Sequence, residues 1–220
     1  MPSSSDLEMA WNELKQHWYI KPYNGNIPNT PGYSFIRFIF SPLIRGLIRI
    51  KATGLNNIPT SGPTILAANH LSHVDPVLII ASSRRKAHYL AKDGHFKNFW
   101  LRQFMKMTGQ IKTQREEGGD QALSSAADVL SAKSALGIFP EGTRSKRTEA
   151  PLLLPGKTGV ARLAASYPET VVMPIALNGT RKMMSPQTHK LPRIWKSVHI
   201  NIGKGITWME WLEDPKGGDI

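Results

Sequence analysis

Two short stretches hold most of the residues whose types and spacing can do chemistry. In Asn69-His70-Leu71-Ser72-His73-Val74-Asp75, two histidines and a carboxylate fall within six residues, and in Phe139-Pro140-Glu141-Gly142-Thr143-Arg144-Ser145 a carboxylate, a glycine and an arginine fall within four. An imidazole oriented by a carboxylate is a general base. On one continuous helix His70 and Asp75 would lie about 140° out of phase. They meet only if His70 sits on an entering loop and Asp75 in the first helical turn. Ser72 with Asp75 fits one N-cap arrangement, and Asp75-Pro76 fits another as N-cap and N1. Either way His70 faces a helix N-terminus, whose dipole disfavours imidazolium and leaves the ring able to accept a proton. A metal reading would take His70, His73 and Asp75 as ligands. It needs more ligands from elsewhere, and His17, His88, His95, His189 and His199 show no paired spacing. A polar helix cap is the third reading, and spacing alone leaves all three open.

The elements that must position these residues come from a chain of 220 residues, 40% hydrophobic, which is enough for one sizeable core. The absence of cysteine excludes a disulfide framework and a thiol nucleophile, and restricts any metal site to His, Asp and Glu. A formal charge of +12 calls for an anionic partner: nucleic acid, a phosphorylated substrate or an acidic membrane face. The charge is concentrated, since residues 84 to 115 hold nine Lys or Arg and one acid, while the last fourteen residues hold four acids and one lysine.

No stretch offers 18 uninterrupted apolar residues, and "MPSSSDLEMA" lacks the basic and apolar regions of a signal peptide, so the chain is expected on the cytosolic side. Ser5 to Glu8 has the form of a capping box, and Leu7, Trp11, Leu14 and Trp18 follow at helical spacing. After a Pro- and Gly-containing loop, residues 33 to 50 read as a second helix with Pro42 inside it. Arg37, Arg45 and Arg49 share a sector of about 120° on its wheel, and apolar residues cover much of the rest. A wide apolar arc with an arginine edge suits a bilayer interface, with a core helix bearing a charged rim as its rival. Residues 1–52 therefore read as an amphipathic two-helix module and 53–220 as an α/β domain, expected to fold without the module. In that domain the apolar runs 64–68, 109–113, 135–139, 171–177 and 198–203 alternate with helical stretches 76–83, 98–107, 120–133 and 158–166. Both polar clusters follow strands, where α/β sheets collect ligands.

Together, "NHLSHVD" and "FPEGTRS" make the chain resemble the PlsC-type glycerolipid acyltransferases (1-acyl-sn-glycerol-3-phosphate acyltransferase). The family's first motif, N-H-x-S-x-x-D, is complete at Asn69, His70, Ser72 and Asp75, and the third is complete in "FPEGTRS". "GQIKTQR" is similar to the second motif at Gly109, Ile111 and Arg115, and departs from it at Lys112, where an aromatic is usual. "VVMPIAL" is similar to the fourth, with Pro174 in place. The likeness runs from about Gly54 to Ile206.

The resemblance implies a central mixed sheet flanked by helices, with His70 as general base and Asp75 as its partner. It further implies an acceptor site built from Arg144, Glu141, Gly142, Thr143, Arg115, Gly109 and Lys112. Arg144 and Arg115 would hold the acceptor's phosphate, though Arg115 next to Glu116 also fits a surface charge. Backbone N–H groups near Gly142 or Gly109 are candidates for the oxyanion. The implied partners are a lysophospholipid acceptor, an acyl thioester donor (acyl-CoA or acyl-carrier protein) as co-substrate, and an anionic membrane surface on the cytoplasmic face of the cell membrane. No cofactor, metal or nucleic acid is called for. Other glycerolipid or glycolipid acceptors fit the same dyad, and a non-catalytic basic module for lipid or nucleic acid is the competing class. Lys157, in "PGKTGVARLA", fits a phosphate contact or a helix start equally well.

Overall fold

The computed structural model describes residues 3–83, 85–92, 99–113, 119–187 and 191–214. The element order is α1 (Ser4–Trp18), α2 (Tyr33–Leu47), β1 (Ile50–Thr53), β2 (Thr64–Ala68), α3 (Asp75–Ser82), β3 (Ala87–Lys92), α4 (Phe99–Met107), β4 (Ile111–Thr113), α5 (Gly119–Ser131), β5 (Ala135–Ile138), α6 (Gly159–Ser166), β6 (Val171–Asn178), α7 (Thr180–Met183), β7 (Val198–Ile202) and α8 (Trp208–Glu213). One seven-stranded sheet runs in the order β1-β7-β6-β2-β5-β3-β4. Its pairings are parallel except for the antiparallel pair β6–β7, so the sheet is mixed, as expected.

Strand β2 lies at the centre, and its run "TILAA" is apolar on both faces because both are covered. Alternate side chains go to opposite layers. Leu66 packs with Leu78 and Ile79 of α3 and with Met173 and Ile175 of β6. Its neighbour Ile65 packs with Leu136, Leu163 and the α5 residues Ala126, Val129 and Leu130. The connections leaving β2 and β5 thus run over opposite faces of the sheet. That arrangement opens a crevice at the strands' carboxyl ends.

Two strands escaped the sequence reading. The second helix stops at Leu47, and Ile50–Thr53 pairs with β7 as an edge strand. The division expected at residue 52 therefore runs through β1. Strand β3 lies within the cation-rich stretch, but its Tyr89 ring lies across Gly137 of β5, where a Cβ would come within 2.1 Å of the ring. The first helix is also capped two residues earlier than the S-x-x-E pattern suggested. Ser3 is the N-cap, and Asp6 returns the hydrogen bond.

The N-terminal stretch is fastened to the sheet domain. Trp11 of α1 is 3% exposed and packs with Ala165 of α6 and Leu212 of α8. Beyond α1, Ile20 N donates to Ser166 Oγ and the N–H groups of Asn24 and Gly25 donate to Asp128 Oδ1. Helix α2 lies against α3. Arg37 donates to the Ser83 carbonyl, and Arg45 to those of Ala81 and Ser82, so two of the three arginines of its polar sector cap the C-terminus of α3. Phe35, Phe38, Ile39, Leu43 and Leu47 of α2 stay exposed. Among the described residues no helix is long and apolar enough to cross a membrane.

Candidate active site

His70 lies on the loop after β2 and Asp75 is the first residue of α3, the placement that lets the two side chains meet. Neither foreseen cap forms as drawn: Val74 is the N-cap, without a side-chain cap bond, and Pro76 falls in the first turn. Asp75 instead turns its carboxylate back towards the loop. Its Oδ2 accepts from Leu71 N at 2.8 Å, from Ser72 N at 2.7 Å and from His70 Nδ1 at 2.9 Å. With Oδ2 accepting from all three, the imidazole proton belongs on Nδ1 and the lone pair on Nε2. The Asp75 side chain is fully buried, whereas that of His70 is 16% exposed. The dyad therefore has one end fixed in the protein and one end open.

The third-motif loop after β5 holds His70 from the other side. Phe139 stacks on the imidazole with ring centroids 3.9 Å apart and planes 14° from parallel. Glu141 Oε1 accepts from His70 N at 2.9 Å, and Ser145 N donates to His70 O at 3.0 Å. The other carboxylate oxygen, Oε2, accepts from Leu154 N at 3.0 Å. Buried Glu141 thus ties the base's backbone to the segment 151–157. Tyr89 packs against Phe139 from behind, and burial pushes its phenol well above the usual tyrosine range, so this wall is uncharged. The end of β6 and the segment that follows it close the third side. Asn69 makes a two-bond clasp with the Leu177 backbone, and Ser72 Oγ donates to Met184 O at 2.7 Å.

Of the residues singled out from sequence, His70, Asp75, Glu141, Gly142, Thr143 and Arg144 come together here. Gly142 takes a left-handed conformation, φ +70°, which suits glycine and turns the chain towards Arg144. The Arg144 guanidinium lies against the His73 ring, 2.6 Å from Nε2. That contact sets the His73 ring beside a cation, which suits an imidazole acting as acceptor and not a metal ligand. Among the described residues no three His, Asp or Glu side chains gather as a metal would need.

The second-motif residues are elsewhere. Gly109 lies at the amino end of the sheet, where its carbonyl accepts from His88 Nδ1 at 2.7 Å. Lys112 sits on edge strand β4, three strands from β2, about 14 Å at ordinary strand spacing. Arg115 lies outside the described residues. The oxyanion donors were expected near Gly142 or Gly109, and the N–H groups of these two glycines themselves already donate, Gly142 to Phe139 O and Gly109 to Lys106 O.

Sequence reasoning did not foresee three of the contacts: Phe139 as the imidazole's stacking partner, Asn69 as the clasp to β6, and His73 as the partner of Arg144. All three stand inside the two motifs that it quoted. A reading of how each motif residue could serve its neighbours would have found them.

A fold with this dyad at the carboxyl ends of its central strands is one in which a base faces a crevice and an arginine lies nearby. The Acyltransferase family model matches residues 49–178, which contain both clusters, and the chain belongs to that family. It is 27% identical over 116 residues to 1-acyl-sn-glycerol-3-phosphate acyltransferase of Bacillus subtilis (strain 168), covering 52% of this chain and 56% of that protein. It is 28% identical over 177 residues to taffazin of Dictyostelium discoideum, covering 72% of this chain and 61% of that one. These matches span little more than half of the relatives' lengths. Among solved structures, the 1-acyl-sn-glycerophosphate acyltransferase PlsC of Thermotoga maritima shares the fold with a TM-score of 0.61 at 21% identity, over 80% of this chain and 68% of that one.

Proposed function

We propose that this chain moves a fatty acyl group from a thioester donor, acyl-CoA or acyl-carrier protein, to the sn-2 hydroxyl of lysophosphatidic acid, giving phosphatidic acid for phospholipid biosynthesis. The observation that carries the reading is the buried Asp75 carboxylate on His70 Nδ1, with the imidazole's other nitrogen left open at the crevice. His70 Nε2 takes the acceptor's hydroxyl proton as the oxygen attacks the thioester carbonyl. The tetrahedral intermediate then collapses with cleavage of the C–S bond, and the departing thiolate takes the proton back from the imidazolium. Proton and charge balance without a covalent enzyme intermediate, in keeping with a chain that has no cysteine.

Arg144 binds the acceptor's phosphate through its planar fork, with His73 setting the direction of the guanidinium. Glu141 supports the base, since its two oxygens accept from the backbone N–H groups of His70 and Leu154. The exposed apolar face of α2 rests on an anionic bilayer at the cytoplasmic face of the cell membrane, as a peripheral or monotopic contact.

The test mixes purified protein, lysophosphatidic acid and acyl-CoA or acyl-carrier protein, and follows thiol release. His70→Ala is expected to lower turnover by about 10²–10⁴ while lysophosphatidic acid still binds. His73→Ala is expected to act mainly on the acceptor's KM, through Arg144. Equal losses for the two variants, or no thiol from the unaltered protein with either donor, would discard the reading. A panel of phosphorylated and unphosphorylated acceptors with one donor then fixes the substrate.

A further inference from the structure

We propose that the Lys157 ammonium is a second cationic contact, beside Arg144, for the phosphate monoester of the acceptor. The inference rests on the acyl-transfer reading for its substrate and on the following geometry for its site. Lys157 N donates to Pro140 O at 2.8 Å, which pins the residue to the third-motif turn. Its side chain then runs across Gly142. A Cβ built on that glycine would meet both Cε and Nζ at 3.3 Å and Cδ at 3.5 Å. The lysine stem therefore lies along the turn that leads to Arg144, and glycine at 142 leaves it room. The segment bearing Lys157 is tied to the dyad as well, because Leu154 N and His70 N share the Glu141 carboxylate.

Nothing in the helix explains this lysine. It stands immediately before Thr158, the N-cap of α6, and the positive end of a helix disfavours a cation. Among the described residues no carboxylate lies within ion-pair distance of its Nζ. A solvated charge has no need of a course across a functional turn. A dianionic phosphate bound between the guanidinium and the ammonium accounts for that course. Lysine contributes a point charge where arginine contributes a directed fork.

The experiment compares the full-length protein with Lys157→Met, which keeps the stem and loses the charge, and Lys157→Arg, which keeps the charge. Thermal melts serve as the folding control. KM and kcat are measured for lysophosphatidic acid, for monoacylglycerol as the acceptor without phosphate, and for the thioester donor. Binding of both acceptors in mixed micelles is measured separately. Lys157→Met is expected to raise the lysophosphatidic acid KM about tenfold with kcat nearly unchanged. Monoacylglycerol and donor values stay constant, and Lys157→Arg recovers most of the loss. An unchanged lysophosphatidic acid KM overturns the proposal. A raised donor KM also overturns it, by assigning the ammonium to the donor's phosphates. Equal losses with both acceptors reduce Lys157 to a support of the turn. If the unaltered protein released no thiol, the acyl-transfer reading would fail, and the binding arm would decide alone. Weaker binding of lysophosphatidic acid but not monoacylglycerol by Lys157→Met would sustain the phosphate site, and equal binding would end it.

Discussion

Helices α1 and α2 are both 15 residues long and both amphipathic, yet they dispose of their apolar faces in opposite ways. Helix α1 turns Leu7 and Trp11 inward, with the Trp11 ring 4.9 Å from that of Trp208. The chain that follows is strapped by hydrogen bonds across α5 and α6. Helix α2 gives the core Tyr33 and Ile44, with Ile48 just past its end, and leaves a second apolar face outside, with Phe38 79% exposed. Its arginines, which on a wheel look like the rim of a lipid-facing surface, are in part spent on the last carbonyls of α3. Periodicity says that a face needs cover. It does not say whether protein or something else provides it.

The largest effect separating the two helices from a detachable module is expected on truncation. Removing residues 1–53 takes β1 from β7 and removes Trp11, Ile20, Tyr33 and Ile48 from the interior. The sequence alone suggested that a chain starting near Gly54 would fold. The packing leads to the opposite expectation: no cooperative thermal melt, and aggregation on size exclusion. A truncated chain that melted cooperatively near the full-length temperature would restore the two-unit description.

Next in size is the contrast between single side chains of the two helices. Trp11→Ala is expected to cost about 3–5 kcal/mol, the range for emptying a large buried site. Phe38→Ala is expected to stay within about 0.5 kcal/mol, as for an exposed position. Urea midpoints for the two variants check both numbers. A Phe38 loss as large as that of Trp11 would place the outer face of α2 in the core.

The same contrast explains what was legible in the sequence. Strands β2, β5, β6 and β7 were readable because buried strands are short apolar runs bounded by turns. Strand β1 was lost because its "IKAT" follows directly on a helical pattern, and β3 because "AHYLAK" sits among cations. The short helices α7 and α8 carry too few turns to show a period. At the site, the spacing of His70 and Asp75 already required a loop followed by a helix start. The carboxylate's grip on the Leu71 and Ser72 N–H groups, and the Glu141 link to His70 N, could not be read from spacing. These contacts join a side chain to a backbone whose path the sequence does not state. Gly109 was misplaced for a related reason, since motif order does not say at which end of a strand a turn will lie.

The smallest expected effect tests what covers α2. If a bilayer does, replacing Phe35 and Phe38 with serine removes apolar area that would enter the interface, and each is expected to weaken binding to anionic vesicles about tenfold. The melt should hold, because neither side chain is buried. Arg45→Gln should behave differently: its guanidinium serves α3, so vesicle binding should change little while stability falls by about 0.3–1 kcal/mol. Turnover follows the same division. With the serine variants, a long-chain acceptor dissolved in the membrane should be acylated more slowly and a short-chain soluble one at the ordinary rate, since His70 and Asp75 are untouched. Vesicle sedimentation, melts and the two acceptor assays on one set of variants read all of this. Serine variants that sediment like the unaltered protein would rule out lipid as the cover of this face. An Arg45→Gln protein that lost vesicle binding at full stability would return that arginine to the membrane.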